Sequence, residues 1–286
     1  MLLEYEYPVF LLTKSDLVLR DIELIMQINE KAFANICFSI TQTDEETRGL
    51  YEPHSSSTWE RLEALRELRN AGIKGGVMAM PMIPYISDSV ENMKQLVTDA
   101  KSVDSEFILF AGMTLKPGRQ KIHFLDTVTR NNPEYLAQIK EIYALENRYG
   151  QPDYSKLSIN VMTVGHHICK LTGVNPRSVR HRCPDEYKSN HKVLQILLDT
   201  VFWMNTILGY RNSDWNHLYS LAVRVEKGLP NLRHAYENGV LGDIVGRELV
   251  SMVSEIIQTG TCALYEKVKQ EVDRKAEKDF NRQDFS

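Results

Sequence analysis

The chain has 286 residues, 43% hydrophobic and 25% charged, with a formal net charge of -4 and a pI near 6.1. This is the make-up of a globular protein with ample core material, as one large domain or one domain with a helical appendage. The balance excludes a global electrostatic attraction to nucleic acid or membrane, and leaves only local basic patches for such partners.

The first predicted element is the apolar run Val9 to Leu12 behind Pro8, which reads as a strand buried on both faces. It stops at Thr13, Lys14 and Ser15, and Ser15 or Asp16 caps a helix whose apolar face is Leu17, Leu19, Ile22, Leu24, Ile25 and Ile28. Polar groups at the carboxyl end of a buried parallel strand are where α/β proteins hold ligands. Ala34 to Ile40 gives a second strand, ending in Thr41, Gln42 and Thr43. After the Glu52-Pro53 loop, Ser57 or Thr58 caps a helix over Trp59–Ala71, with Leu62, Leu65 and Leu68 inward and Gly72 as its stop.

Ile73 to Met80 gives a third strand ended by Pro81 and Pro84, then a helix capped by Ser87 or Asp88. Glu106 to Ala111 gives a fourth strand closed by Gly112. Strand and helix alternating at about thirty residues per unit indicate parallel βα units. Beyond Lys116-Pro117-Gly118 the rhythm turns helical: 124–131, 133–149, 157–171, 191–208, 214–227 and 243–278, with one short extended piece near Val179. The organisation therefore reads as βα units over 1–120, a helical extension over 121–210 and a helical segment over 211–286. Four parallel strands cannot close a barrel, so the sheet keeps open edges.

Cys37, Cys169, Cys183 and Cys262 lie far apart, and Glu4 and Glu6 follow Met1 too closely for a signal peptide. Reduced thiols in a cytoplasmic protein are the expectation. The apolar stretch 193–208 is broken by Gln195, Asp199, Asn205 and Thr206, so no membrane span is expected. His166, His167, Cys169, His181, Cys183 and His191 can all bind zinc, but their spacing lacks the paired pattern of a structural site, so no metal is expected there. Arg177, Arg180, His181, Arg182, Lys188, His191 and Lys192 form the one basic cluster, either a solvated loop balanced by Asp185 and Glu186 or a contact for a DNA backbone.

Thr13-Lys14-Ser15-Asp16-Leu17-Val18-Leu19-Arg20-Asp21, Ser39-Ile40-Thr41, Glu52-Pro53 and Glu60-Arg61-Leu62-Glu63-Ala64-Leu65 together resemble radical SAM enzymes of the spore photoproduct lyase-like, "DNA repair photolyase" branch. Ala71-Gly72-Ile73, Met80-Pro81-Met82-Ile83-Pro84 with Asp88, Leu115-Lys116-Pro117-Gly118, Pro176-Arg177 and Pro184-Asp185-Glu186-Tyr187 extend the likeness over roughly the first 200 residues.

The resemblance implies an incomplete radical SAM-type partial (β/α) barrel with about four parallel strands, followed by a mostly helical half. It implies S-adenosylmethionine and a [4Fe–4S] cluster as cofactors. The family's C-x-x-x-C-x-x-C motif is absent from this sequence, so a cluster is not expected on this chain alone and no catalytic residue is assigned. The opening strand corresponds to the family's third, which leads to the expectation of a truncated or split product completed by a separate amino-terminal half. DNA is the partner the family suggests.

By the same resemblance, Lys14 pairs with the methionine carboxylate, flanked by Thr13 and Ser15. Ser39 and Thr41 hold the ribose, and Met80, Pro81 and Ile83 wall the adenine. Glu52 beside Arg61 reads either as part of this lip or as a structural ion pair. Tyr85 stands where the family usually has glycine, and its ring is expected to crowd a cofactor. The alternatives are a non-enzymatic binding protein that uses the open strand edge, and a zinc or nucleic-acid module in the helical half.

Overall fold

The computed structural model describes residues 1–145, 147–178 and 184–283. The chain is an α/β protein with one four-stranded parallel sheet in sequential order: β1 (Val9–Thr13), β2 (Ala34–Ser39), β3 (Lys74–Met82) and β4 (Ile108–Gly112). Between them run α1 (Ile22–Lys31), α2 (Glu45–Tyr51), α3 (Thr58–Asn70) and α4 (Val90–Ser102). After the sheet come α5 (Arg119–Asn131), α6 (Leu136–Ile142) and α7 (Val161–Thr172).

The register fixes two faces. Leu11 pairs with Ile36, and Ile36 with Gly75, while Leu12 pairs with Cys37, and Cys37 with Gly76. Val9, Leu11, Ile36, Phe38, Val77, Ala79, Ile108 and Phe110 share a single core with α1, α3, α4 and α7. The crossover helices α1, α3 and α4 therefore pack on the same face, whereas Tyr51 of α2 joins a separate cluster with α5 and α6. The opposite face carries a small cluster of Cys37, Met78 and Phe107 with Met80 and Leu109 against it.

β1 departs from the sequence reading. It alternates rather than being buried on both faces: Val9 and Leu11 meet the core, whereas Phe10 and Leu12 remain 54% and 48% exposed. The reason is topological, since β1 is the edge strand and no described strand lies beyond it. β2, with a neighbour on each side, is the strand whose six residues are all buried.

Other boundaries shift by a few residues for local reasons. Ser15 caps a 3₁₀ turn, Asp16–Asp21, before α1 begins. β3 continues through Pro81 to Met82 across a register shift between Ala79 and Met82, and so runs past the prolines expected to end it. Ser57 and Glu60 form a reciprocal capping box at the head of α3, in agreement with the sequence.

The chain divides into two compact units, Met1–His181 with Asp279–Ser286, and Arg182–Lys278. This partition differs from divisions near 120 and 210, because α7 supplies Val161, Val164 and Ile168 to the sheet's own core and so belongs with the strands. The second unit contains α8 (Lys188–Phe202), a π-helical turn at Trp203–Ile207, α9 (Asn212–Glu226), α10 (Leu232–Glu237), α11 (Leu241–Val245) and α12 (Val250–Thr259). Most of α13 (Ala263–Asn281) also lies in it. Its core joins Val193, Leu197, Leu218, Leu221, Val253 and Val272. The 243–278 stretch breaks into three helices at Gly246 and Gly260, both with positive φ. The extended piece near Val179 falls outside the described residues. Among the described residues, no helix is long and apolar enough to cross a membrane.

Candidate functional site

The carboxyl ends of β1 and β2 converge on one carboxylate. Glu52, in the loop after α2, accepts from Lys14 Nζ at 2.5 Å through Oε1 and from Arg61 Nη1 at 2.9 Å through Oε2. Thr41 Oγ1 lies 3.5 Å from the same Oε1. The Arg61 guanidinium comes from α3 and is fully buried; it also donates to the Ser39 carbonyl at 2.5 Å. One ion-paired network thus ties the lip of β1 to the lip of β2 through the head of the helix that follows.

A buried guanidinium must be paired, because an isolated charge in the interior is far more costly than a solvated one. Glu52 supplies that pairing. Burial acts to raise its carboxyl, but the hydrogen bond and charge of Lys14 and the charge of Arg61 outweigh burial and hold it below the ordinary glutamate range. Lys14 is the accessible member, its side chain 42% exposed. An ammonium has three donors, and one goes to Glu52, so two remain for a ligand.

The other sequence-selected residues divide by placement. Ser39 Oγ donates to the Met80 carbonyl at 2.8 Å, which brings Ser39 and Met80 together beside the network. Thr13 and Ser15 serve the local turn: Thr13 Oγ1 accepts from the Ser15 amide, and Ser15 Oγ accepts from Leu17. Ile83 packs in a different cluster, with Met113, Leu115 and Tyr143, and Pro81 is exposed. Met80, Pro81 and Ile83 therefore do not make one continuous wall.

Tyr85 also departs from expectation. Its backbone sits at φ 67°, in the left-handed region that favours glycine. The ring stacks on Tyr135, with centroids 5.5 Å apart, instead of crowding the lip. The Tyr85 amide donates to Asp88 Oδ1 at 2.8 Å, which helps to hold the conformation.

Three contributors lacked a local motif. Asn92, on α4, donates to the Thr41 and Ser87 carbonyls and accepts from the Thr43 amide, so it staples the β2 lip in place. Asn35 is fully buried on the face of β2 that carries Cys37, and its Nδ2 has no hydrogen-bond partner among the described residues. Asp88 does not cap α4, a role taken by Ser89; it is buried near the ends of β3 and β4. A lone Asn or Asp in a helix-cap region carries no sequence signal for these roles.

The cysteines bear on the cluster. Burial pushes the Cys37 and Cys169 thiols up to about 12, so neither is a ready thiolate, and Cys37, Cys169 and Cys262 are all buried and free. No metal-type grouping of His, Cys, Asp and Glu occurs among the described residues. Of the zinc-capable residues, His181 and Cys183 lie outside the described residues, and His167 packs on Phe280 with ring centroids 4.8 Å apart. Arg180, His181 and Arg182 of the basic cluster also lie outside the described residues.

No family model matches the chain, and no solved structure matches it. Over 150 residues it is 26% identical to uncharacterized proteins of Mycobacterium tuberculosis and Mycobacterium bovis, covering 52% of this chain and 44% of each of theirs. Over 126 residues it is 33% identical to an uncharacterized protein of Methanocaldococcus jannaschii, covering 43% of this chain and 44% of that one. The chain thus spans less than half the length of the curated relatives it matches.

Proposed function

We propose that this chain is part of a radical SAM-type protein of the spore photoproduct lyase-like kind, a partial (β/α) barrel whose strand-end lip binds S-adenosylmethionine. The observation that carries this reading is the meeting of Lys14, Ser39 and Thr41 around the Glu52–Arg61 pair at the carboxyl ends of adjacent parallel strands. A parallel sheet with the crossover helices α1, α3 and α4 on one face supports it, being the local geometry from which such barrels are built.

In this reading Lys14 turns its two remaining donors to the carboxylate of the methionine moiety, a charge-assisted contact. Glu52 holds the ammonium in place, and Arg61 keeps Glu52 ionised. Ser39 and Thr41 offer hydroxyl lone pairs to the ribose, and Met80 offers apolar surface beside them. Thr13 and Ser15 shape the turn that presents Lys14.

The residues present do not fit a [4Fe–4S] cluster. Such a cluster needs three accessible thiolates, and the described cysteines are separate, buried and held as thiols. No reaction step is therefore assigned to this chain. In the family the resemblance points to, the cluster supplies the electron for cleavage of S-adenosylmethionine, and here its ligands would come from a separate amino-terminal half. The open edge of β1, with Phe10 and Leu12 exposed, is the natural seat for a further parallel strand from that half. DNA enters as the partner suggested by the resemblance alone.

The same exposed edge favours a second reading, a non-enzymatic binding protein that captures a partner strand there. Photo-crosslinking of radiolabelled S-adenosylmethionine, mapped by mass spectrometry, separates the two. The first reading predicts label on peptides carrying Lys14, Ser39 or Thr41. Label elsewhere, or none, contradicts it. Anaerobic reconstitution with iron and sulfide should leave the protein colourless, whereas a cluster assembled on this chain alone would overturn the cofactor assignment.

A further inference from the structure

A second site lies at the carboxyl ends of the last two strands. Where β3 ends at Met82 and β4 at Gly112, the loop to α4, the segment after α6 and the first turn of α7 enclose a cavity of about 200 Å³. Its lining includes the thioethers of Met82, Met113 and Met162, the rings of Tyr143 and Tyr154, and the carboxyl of Asp88. None of Lys14, Ser39, Thr41 and Glu52 lines it.

Asp88 is 4% exposed and is the one charged side chain among the described lining residues. Its Oδ1 accepts from the Tyr85 amide, and no ion pair involves it among the described residues. A carboxylate held in an apolar chamber without a counter-charge is costly, and a ligand cation lowers that cost by pairing with it. Thioethers and aromatic rings are polarisable and favour a cation carried on an apolar body. A cavity of about 150 Å³ admits benzene, so this one takes a single ring with a short substituent.

We propose that this cavity is a binding site for a small organic ammonium, with the cationic head on Asp88 and a one-ring apolar body among the methionines and tyrosines. Burial raises the Asp88 carboxyl to about 6, which leaves it ionised at neutral pH and available for the pairing. Burial likewise raises the Tyr143 hydroxyl, which stays protonated and donates to the Met113 carbonyl at 2.8 Å, so the ring wall is neutral.

Calorimetric titration of the full chain at about pH 7.5 with benzylamine, benzyl alcohol and benzoate tests the site, because the three share a ring and differ in charge. Benzylamine should bind roughly tenfold or more tightly than benzyl alcohol, the difference expected for one charge-assisted pair, and benzoate should not bind. Asp88→Asn, which keeps an acceptor for the Tyr85 amide, should remove the preference for the amine. Leu157→Trp fills the cavity and leaves Asp88 intact, so it should abolish binding of both ligands even if Asp88→Asn proves unstable. Equal binding of amine and alcohol, no saturable binding of benzylamine, or unchanged affinity in Leu157→Trp would overturn the proposal.

Discussion

The partly buried Glu52 and the buried Asp88 have opposite surroundings and should behave in opposite ways. Glu52 is paired with Lys14 and Arg61, and its carboxyl lies below the ordinary glutamate value. A depressed acid stabilises the fold above its unfolded value, and the contribution is lost as pH falls through the folded value. Glu52→Gln leaves the Arg61 guanidinium buried without a counter-charge, which costs about 3 kcal/mol near neutral pH. Urea unfolding should register that loss, and the gap from wild type should shrink in acid, where Glu52 is protonated in both states.

Asp88 has no such partner, and burial raises its carboxyl to about 6. Between its unfolded value and about 6 the native state keeps a proton that the unfolded chain has lost, so stability declines as pH rises through that window. Asp88→Asn removes this dependence. Relative to wild type, the variant should gain on the order of 1 kcal/mol on going from about pH 5 to about pH 8. A constant difference across that range would contradict the unpaired burial of this group.

At the scale of elements, close approach sets what substitution can do. Gly165 of α7 lies directly against the Phe110 ring of β4, and a Cβ there would overlap the ring. Gly165→Ala should therefore destabilise by about 1–3 kcal/mol, even though alanine is the better helix former. Thermal unfolding checks the sign, since a helix limited by propensity alone would become more stable.

The elements also mark what the sequence could reveal. Periodicity and caps located all four strands and Ser57 as one of two candidate caps of α3, because those signals are local. The Glu52–Arg61 pair was readable as one of two alternatives, and the structure has it as an ion pair that also draws in Lys14. The exposure of Phe10 and Leu12 was not readable, since burial of an apolar run depends on whether a neighbour covers it. Asn92 and Asp88 were missed because their roles arise from loops brought together by the sheet. Tyr85 stands out in the sequence, but its φ of 67°, in the left-handed region that favours glycine, is visible only in the structure.

For the whole molecule, the two units have separate hydrophobic cores, and the candidate chemistry lies in the first. Its sheet has one face closed by helices and, at the carboxyl ends of β1 and β2, a lip of polar groups beside an edge strand that exposes Phe10 and Leu12. That combination suits a ligand held at strand ends and a partner strand at the edge.

In the function proposed for this chain, the Lys14 lip binds S-adenosylmethionine. Isothermal titration of the purified chain with S-adenosylmethionine, repeated on Lys14→Met, tests it most directly. Methionine keeps the apolar stem, and Glu52 still neutralises Arg61, so the variant should stay folded. The account predicts one-to-one saturable binding to wild type, weakened roughly tenfold or more in the variant, as expected for loss of a charge-assisted contact. Absence of saturable binding to wild type, or equal affinity in the two proteins, would contradict it.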